Sequence, residues 1–350
     1  LPPVGALVAR GALQRSMPPS IQDDRALRQA LATYQSPDPR RSLRELALTV
    51  LPLMVLWVLA LGSVAHGHWW GLILALPAGA FLVRLFLIQH DCGHRAFFRS
   101  AAANDWLGRV IGVLTMTPYD YWRRTHAIHH ATSGNLDRRS LGGVETLTVE
   151  EYRALPRLQR AAYRFYRNPL VILGLGPTYL FALQHRIPVG LIKDPAAWRS
   201  VLGNNFGLAL LIGAELLLTG SPTALLAHLA IVVVAATIGV WLFYVQHQFE
   251  DASWRRHPEW STLDAALQGS SHLALPAPLR WLTANIGAHH LHHAASRIPF
   301  YRLPEVLRDH PQLTGKRVDL AGSFRALRLA LWDERDGRLV GFTPARNRAG

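Results

Sequence analysis

Residues 46–65 carry no charged side chain across twenty positions, and a helix of that length spans the hydrocarbon core of a bilayer. Residues 71–89 form a second such stretch, interrupted only by Arg84, and residues 201–218 and 223–246 form a third and a fourth. A soluble protein with buried core helices has no need of uncharged runs this long. The expected fold class is therefore all-α: a polytopic membrane protein with four transmembrane helices in two hairpins.

The distribution of charge orients the hairpins. The chain of 350 residues has a net charge of +14, almost all from arginine, with Lys193 and Lys316 as the only lysines. On a soluble protein that balance points to nucleic acid. Here, apart from Arg84, every Lys and Arg lies outside the hairpins. The linkers His66-Gly67-His68-Trp69-Trp70 and Thr219-Gly220-Ser221-Pro222 contain none. The positive-inside rule then assigns the N-terminus, the central region and the C-terminus to the cytoplasm. Arg84 and Glu215, the charges within spans, read as snorkelling or helix-packing residues near span ends.

The chain thus divides into three regions: a cytoplasmic, partly helical segment 1–45, a membrane body 46–310, and a basic tail 311–350 with an amphipathic stretch near 318–332. The first 45 residues show no cleavable-signal pattern. Residues 107–117 and 169–183 are apolar but short or broken by Arg109, Gly174, Gly176 and Pro177. They are expected to lie against the membrane without crossing it.

Three of the chain's histidine groups have helical spacing: His90 and His94, then His126, His129 and His130, then His289, His292 and His293. Offsets of three and four residues stack side chains on one helix face. The topology maps all three groups to one cytoplasmic face, where they form a helical cap with the metal site. Eight imidazoles exceed what one ion needs, so two metals are expected, and neutral imidazole suits iron, zinc, copper or nickel. His247 emerges from span four as His90 emerges from span two and makes a ninth ligand. His290 lies about 100° round the helix from His289 and is expected to miss the ligand face and to serve at most as an outer partner of the ligands. His66, His68 and His228 map to the opposite side, and His185, His257, His272 and His310 are isolated. The sole cysteine, Cys92, reads as a packing residue.

Closed structural zinc sites usually contain cysteine, which fits this set poorly. Axial haem ligands or a metal transporter would want histidine at mid-membrane depth, and spans one and three contain none. Two redox-active irons that oxidise an apolar substrate fit best.

With these residues in view, the sequence closely resembles the membrane fatty acid desaturases over roughly residues 40–310. His90–His94, His126–His130 and His289–His293 match that family's HxxxH, HxxHH and HxxHH boxes. The stretches Thr132-Ser133-Gly134-Asn135-Leu136-Asp137-Arg138-Arg139 and Ser296-Arg297-Ile298-Pro299-Phe300-Tyr301-Arg302-Leu303 are similar to bacterial acyl-lipid members. The resemblance implies a non-haem di-iron centre, O2 as oxidant and an external electron donor. Its ligands would be His90, His94, His126, His129, His130, His289, His292 and His293, with His247 as the additional one. Asn285 is a candidate for the asparagine that reaches one iron through water. The short first box, a third box that begins with histidine, and the lack of a haem-binding His-Pro-Gly-Gly motif separate the chain from acyl-CoA and front-end desaturases. That leaves a lipid-linked acyl substrate, ferredoxin as donor and a bacterial inner membrane as location.

Asp91, Asp120, Asp137, Glu250 and Asp251 lie near the boxes in sequence. They read either as hydrogen-bond partners of the imidazoles or as arginine-paired or solvated carboxylates. A membrane di-iron hydroxylase or carotenoid ketolase shares the box architecture and is the competing enzymatic reading.

Overall fold

The computed structural model describes residues 24–139 and 142–342; positions 1–23 and 343–350 of the expected terminal segments fall outside. A short helix, α1 (Asp24–Ala32), leads into the first hairpin, α2 (Pro39–Ala65) and α3 (Ala75–Gly93). Then come α4 (Ala101–Leu114), α5 (Tyr119–Thr132), strand β1 (Leu147–Thr148), α6 (Val149–Ala154), α7 (Arg157–Tyr166) and α8 (Gly176–Ala182). The second hairpin is α9 (Pro195–Thr219) and α10 (Ala224–His247). It is followed by α11 (Thr262–Gly269), β2 (Ser271–Ala274), α12 (Ala277–Leu282), α13 (His289–Ala294) and α14 (Leu303–Asp309). The last described elements are β3 (Lys316–Asp319), α15 (Leu320–Ala326), β4 (Leu331–Asp333) and β5 (Arg338–Val340).

Among the described residues, four helices are long and apolar enough to cross a membrane: α2, α3 with its lead-in turn from Trp69, α9 and α10. They coincide with the four expected spans, but the first helix of each hairpin begins earlier. α2 and α9 both start at an Asp-Pro pair, Asp38-Pro39 and Asp194-Pro195. Each aspartate caps the helix, accepting from the Arg40 and Ala196 amides, and each proline sits where a helix needs no N–H.

α3 is the central helix and packs against α2, α4 and α10. Leu53, Trp57 and Leu61 of α2, Leu82 and Leu85 of α3, and Ile231 and Leu242 of α10 form a buried core. Leu51, Val58, Leu217 and Leu218 face outward. In lipid, apolar side chains gain little by leaving the solvent, so close packing has to hold the helices together. Gly79 shows how: a Cβ there would lie 2.5 Å from Cγ1 of Val234 on α10.

The two intramembrane charges are buried and do not snorkel. Glu215 accepts from Trp57 Nε1 at 3.0 Å and meets His228 Nδ1 at 2.9 Å, which ties α9 to α2 and α10. Arg84 is fully buried. The two short apolar segments become α4 and a broken helix. Over Val171–Leu175 the chain forms a π-helical turn. Pro177 has no N–H for the Leu173 carbonyl, and Thr237 Oγ1 of α10 donates to that carbonyl instead, at 2.7 Å.

Described parts of both flanking segments pack on the helical body. Leu31 of α1 is buried among Ala288, Leu291, Ile298 and Val306. The stretch near 318–332 is split: β3 runs parallel to β2, α15 comes next, and β4 pairs with β1 and β5.

Candidate metal centre

α3 and α10 deliver His90 and His247 at the same end of the bundle, α5 carries three more histidines across that end, and the short α13 carries the last three. The side chains converge as two groups. His90, His94, His126, His130 and His292 form one, and His129, His247, His289 and His293 form the other. In each, the ligand nitrogens lie within 4.8 Å of one another. The nine histidines singled out by spacing and topology are thus brought together, five and four, each group drawing on all three boxes or on two boxes and His247. The groups adjoin: the His130 and His293 rings stack at 4.0 Å.

The contacts within each group are not ordinary hydrogen bonds. His126 Nε2 faces Nε2 of His90 at 3.0 Å, of His94 at 3.1 Å and of His130 at 3.1 Å. In the other group, His247 Nε2 faces His289 at 3.0 Å and His129 at 3.1 Å, and His293 faces His289 at 3.1 Å. A ring nitrogen offers one proton or one lone pair, so it cannot bond three neighbours of its own kind. Convergent lone pairs are what a cation requires, and the donor set suits a first-row transition metal.

Burial keeps the rings neutral, the form that binds metal. Desolvation, assisted by neighbouring imidazoles, holds His94, His126, His130, His289, His292 and His293 well below the usual imidazole range. It lowers His129 to about 4. Only His94, His130 and His293 of the nine are partly exposed.

The expected outer partners are distributed differently. Asp91 is buried beside His90, but its Oδ1 is 3.7 Å from His90 Nδ1, while its Oδ2 accepts the Phe300 amide at 2.7 Å. Asp137 binds Arg256 and the His257 amide, Asp120 binds Arg109, and Glu250 binds Arg338. Asp251 is engaged through its carbonyl, by Lys316. These contacts tie loops together and do not reach the rings. Asn285 donates to the Phe300 carbonyl at 3.3 Å. His290 lies outside both groups, with its Nε2 2.6 Å from the Leu313 carbonyl, as its angular offset requires. Ser133 Oγ, 3.4 Å from His247 Nδ1, is a neighbour that spacing does not reveal. Cys92 is buried, free and in neither group.

Two cavities meet at the centre. One, about 220 Å³, runs between α3 and α10 and is lined by Leu82, Phe86, Val232 and Ala236, with His90, His126 and His289 at one end. The other, about 990 Å³, reaches His129 and His247 and has Arg139, Tyr166 and Arg167 on its wall. Gly142, Leu180, Gln184, Val240 and Phe243 line both. Trp122 stacks on His126 at 4.6 Å and faces the smaller cavity, as does the buried His185, which by sequence reads as an isolated ring.

The fatty acid desaturase family profile matches residues 67–320. A fatty acid desaturase of Bacillus subtilis is 40% identical over 318 residues, covering 90% of each chain. An sn-1 acyl-lipid omega-3 desaturase (ferredoxin) of Synechocystis is 29% identical, covering 65% of this chain and 64% of its own. An sn-1 oleoyl-lipid 12-desaturase of Arthrospira platensis is 24% identical over 73% of each. With two buried histidine groups at the end of four apolar helices and an apolar cavity leading to them, this chain belongs to the fatty acid desaturase family.

Proposed function

We propose that this protein desaturates the acyl chain of a membrane lipid in the cytoplasmic leaflet of a bacterial inner membrane. It uses O2, two iron ions held by the nine histidines, and electrons from a ferredoxin-type donor. The observation that carries the reading is the apolar cavity between α3 and α10 that ends on histidines of both groups. Bound iron would supply reductive activation of O2 and removal of hydrogen from unactivated methylenes, chemistry that no side chain performs alone.

The chain's own residues supply placement. Leu82, Phe86, Val232 and Ala236 give the methylene path an apolar wall, and Thr115, Gln184 and Gln246 are polar groups on the same lining. Trp122 and Phe243 wedge that path against His126 and His129, with ring centroids at 4.6 Å and 5.0 Å. Burial in this wall excludes water from the reacting carbons. The larger cavity, with Arg139, Tyr166 and Arg167, suits the polar end of the substrate. In this reading residues 46–310 are the catalytic body, and the half-buried His94, His130 and His293 mark the face where electrons enter.

Expression in a host that lacks unsaturated fatty acids, with mass-spectrometric mapping of its lipids, tests this. New double bonds support it. New hydroxyl or keto groups would assign the site to oxygen insertion instead.

A further inference from the structure

Arg84 is the one arginine inside a predicted span, and the structure buries it completely six residues before His90. A guanidinium at such a place is tolerated only when its N–H groups are met. α2 meets part of the demand: Thr49 Oγ1 accepts from Nε at 3.0 Å, and the Glu45 carboxylate pairs with Nη2. The rest comes from the segments on either side of the third histidine box. Nη1 donates to the Trp281 carbonyl, and the guanidinium carbon Cζ lies 4.0 Å from the Trp281 ring centroid and 5.3 Å from that of Phe300.

Just beyond Trp281 the backbone makes a strained turn. Ala284 and Asn285 have φ of +47° and +54°, in the left-handed region that side chains avoid. Such a turn persists when its surroundings over-determine it. Phe300 helps hold it, accepting from Asn285 Nδ2 through its carbonyl and giving its amide to Asp91. Arg84 and Asp91 are seven residues apart on α3, two turns along one face. The helix that carries the first histidine box thus grips the third-box segment at two points, either side of the turn that sets where His289 begins α13.

We infer that Arg84 is a positioning residue for the metal centre: through Trp281 and Phe300 it fixes where α13 presents His289, His292 and His293. The inference rests on the reading of the nine histidines as metal ligands. Lysine cannot replace it, because an ammonium keeps the charge opposite Glu45 but offers neither a planar face nor a forked donor set.

The test uses the full-length protein purified in detergent, as wild type, Arg84→Lys and Phe300→Leu. Metal per chain, the Mössbauer spectrum of iron-loaded protein and the thermal midpoint of metal-stripped protein are measured. Wild type is expected to hold two metals. Arg84→Lys is expected to stay folded when stripped, to load substoichiometrically, to change the iron spectrum and to lose at least about tenfold in desaturation. Full two-metal loading with a wild-type spectrum in Arg84→Lys overturns the positioning role and leaves the ligand reading intact. A wild-type protein that binds no metal overturns the ligand reading itself. Should Arg84→Lys not fold, Phe300→Leu carries the test, since it keeps the ion pair and removes one aromatic face. Partial metal loss then supports the inference, and full loading with an unchanged spectrum overturns it.

Discussion

The imidazoles show which parts of this site are written locally. Helical offsets of three and four residues bring His126 and His130, or His289 and His293, together without help from the rest of the chain, so the boxes were legible in the sequence. The same geometry sets His290 apart. Trp122, Phe243, Gln184 and His185 were not legible as cavity residues, because their neighbours across the cavity belong to helices far away in sequence. The carboxylates were ambiguous for the opposite reason: sequence proximity to a box says nothing of the arginine that captures Asp120, Asp137 or Glu250, or of the Phe300 amide that captures Asp91. Changing His126, which faces three other ring nitrogens, should be severe. His126→Ala is expected to lower desaturation at least about 100-fold and to reduce bound metal, read by lipid analysis and metal content. Acid should act through the same burial. Desolvation holds His129 and His185 at about 4 in the folded protein, below the usual imidazole value near 6.5. Between those values the unfolded chain takes up protons that the folded chain refuses. Stability of the metal-stripped protein is therefore fully present above about pH 6.5 and is lost as pH falls toward about 4. Thermal unfolding in detergent between those limits should show the midpoint dropping steadily with acid; a flat profile would count against the buried, neutral state.

At the level of elements, hydropathy located the four spans because length and lack of charge are properties of a single segment. It did not reveal that α2 and α9 start at Asp38-Pro39 and Asp194-Pro195, since the polar first turns carry no apolar signal. The strands near the C-terminus escaped for a similar reason. β3, β4 and β5 are three or four residues long; β3 and β4 pair with β2 and β1, far away in sequence, and the β4–β5 hairpin alone is local. The fate of Arg84 and Glu215 also depended on packing: a charge near a span end snorkels only if no neighbouring helix covers it. Helix contact in lipid rests on shape, so Gly79 should be intolerant. Gly79→Leu is expected to force α3 from α10 and destabilise the protein by about 1–3 kcal/mol, measurable by denaturant unfolding in detergent. An unchanged unfolding midpoint would show that the helices part without cost.

Across the whole molecule, four spans hold a lipid-facing frame, and the helices beyond them close over the centre from one end. The cavity between α3 and α10 links these two halves. Its depth is a property of the assembled bundle, which is why neither the acyl length nor the position of the double bond could be read from the boxes. Gly239 tests this directly. It lines the smaller cavity, and a Cβ there would meet nothing within 4 Å. Gly239→Phe is expected to fill the channel without clashing with the fold and to shift the products toward shorter acyl chains by mass spectrometry, with metal content unchanged.

The central claim is that five and four histidines form two metal positions that act together on a lipid chain. Its most direct test is metal analysis of the active, purified protein. Two iron atoms per chain are expected, with desaturation that falls in parallel when iron is chelated. Full desaturation by protein that holds one metal, or none, would contradict it.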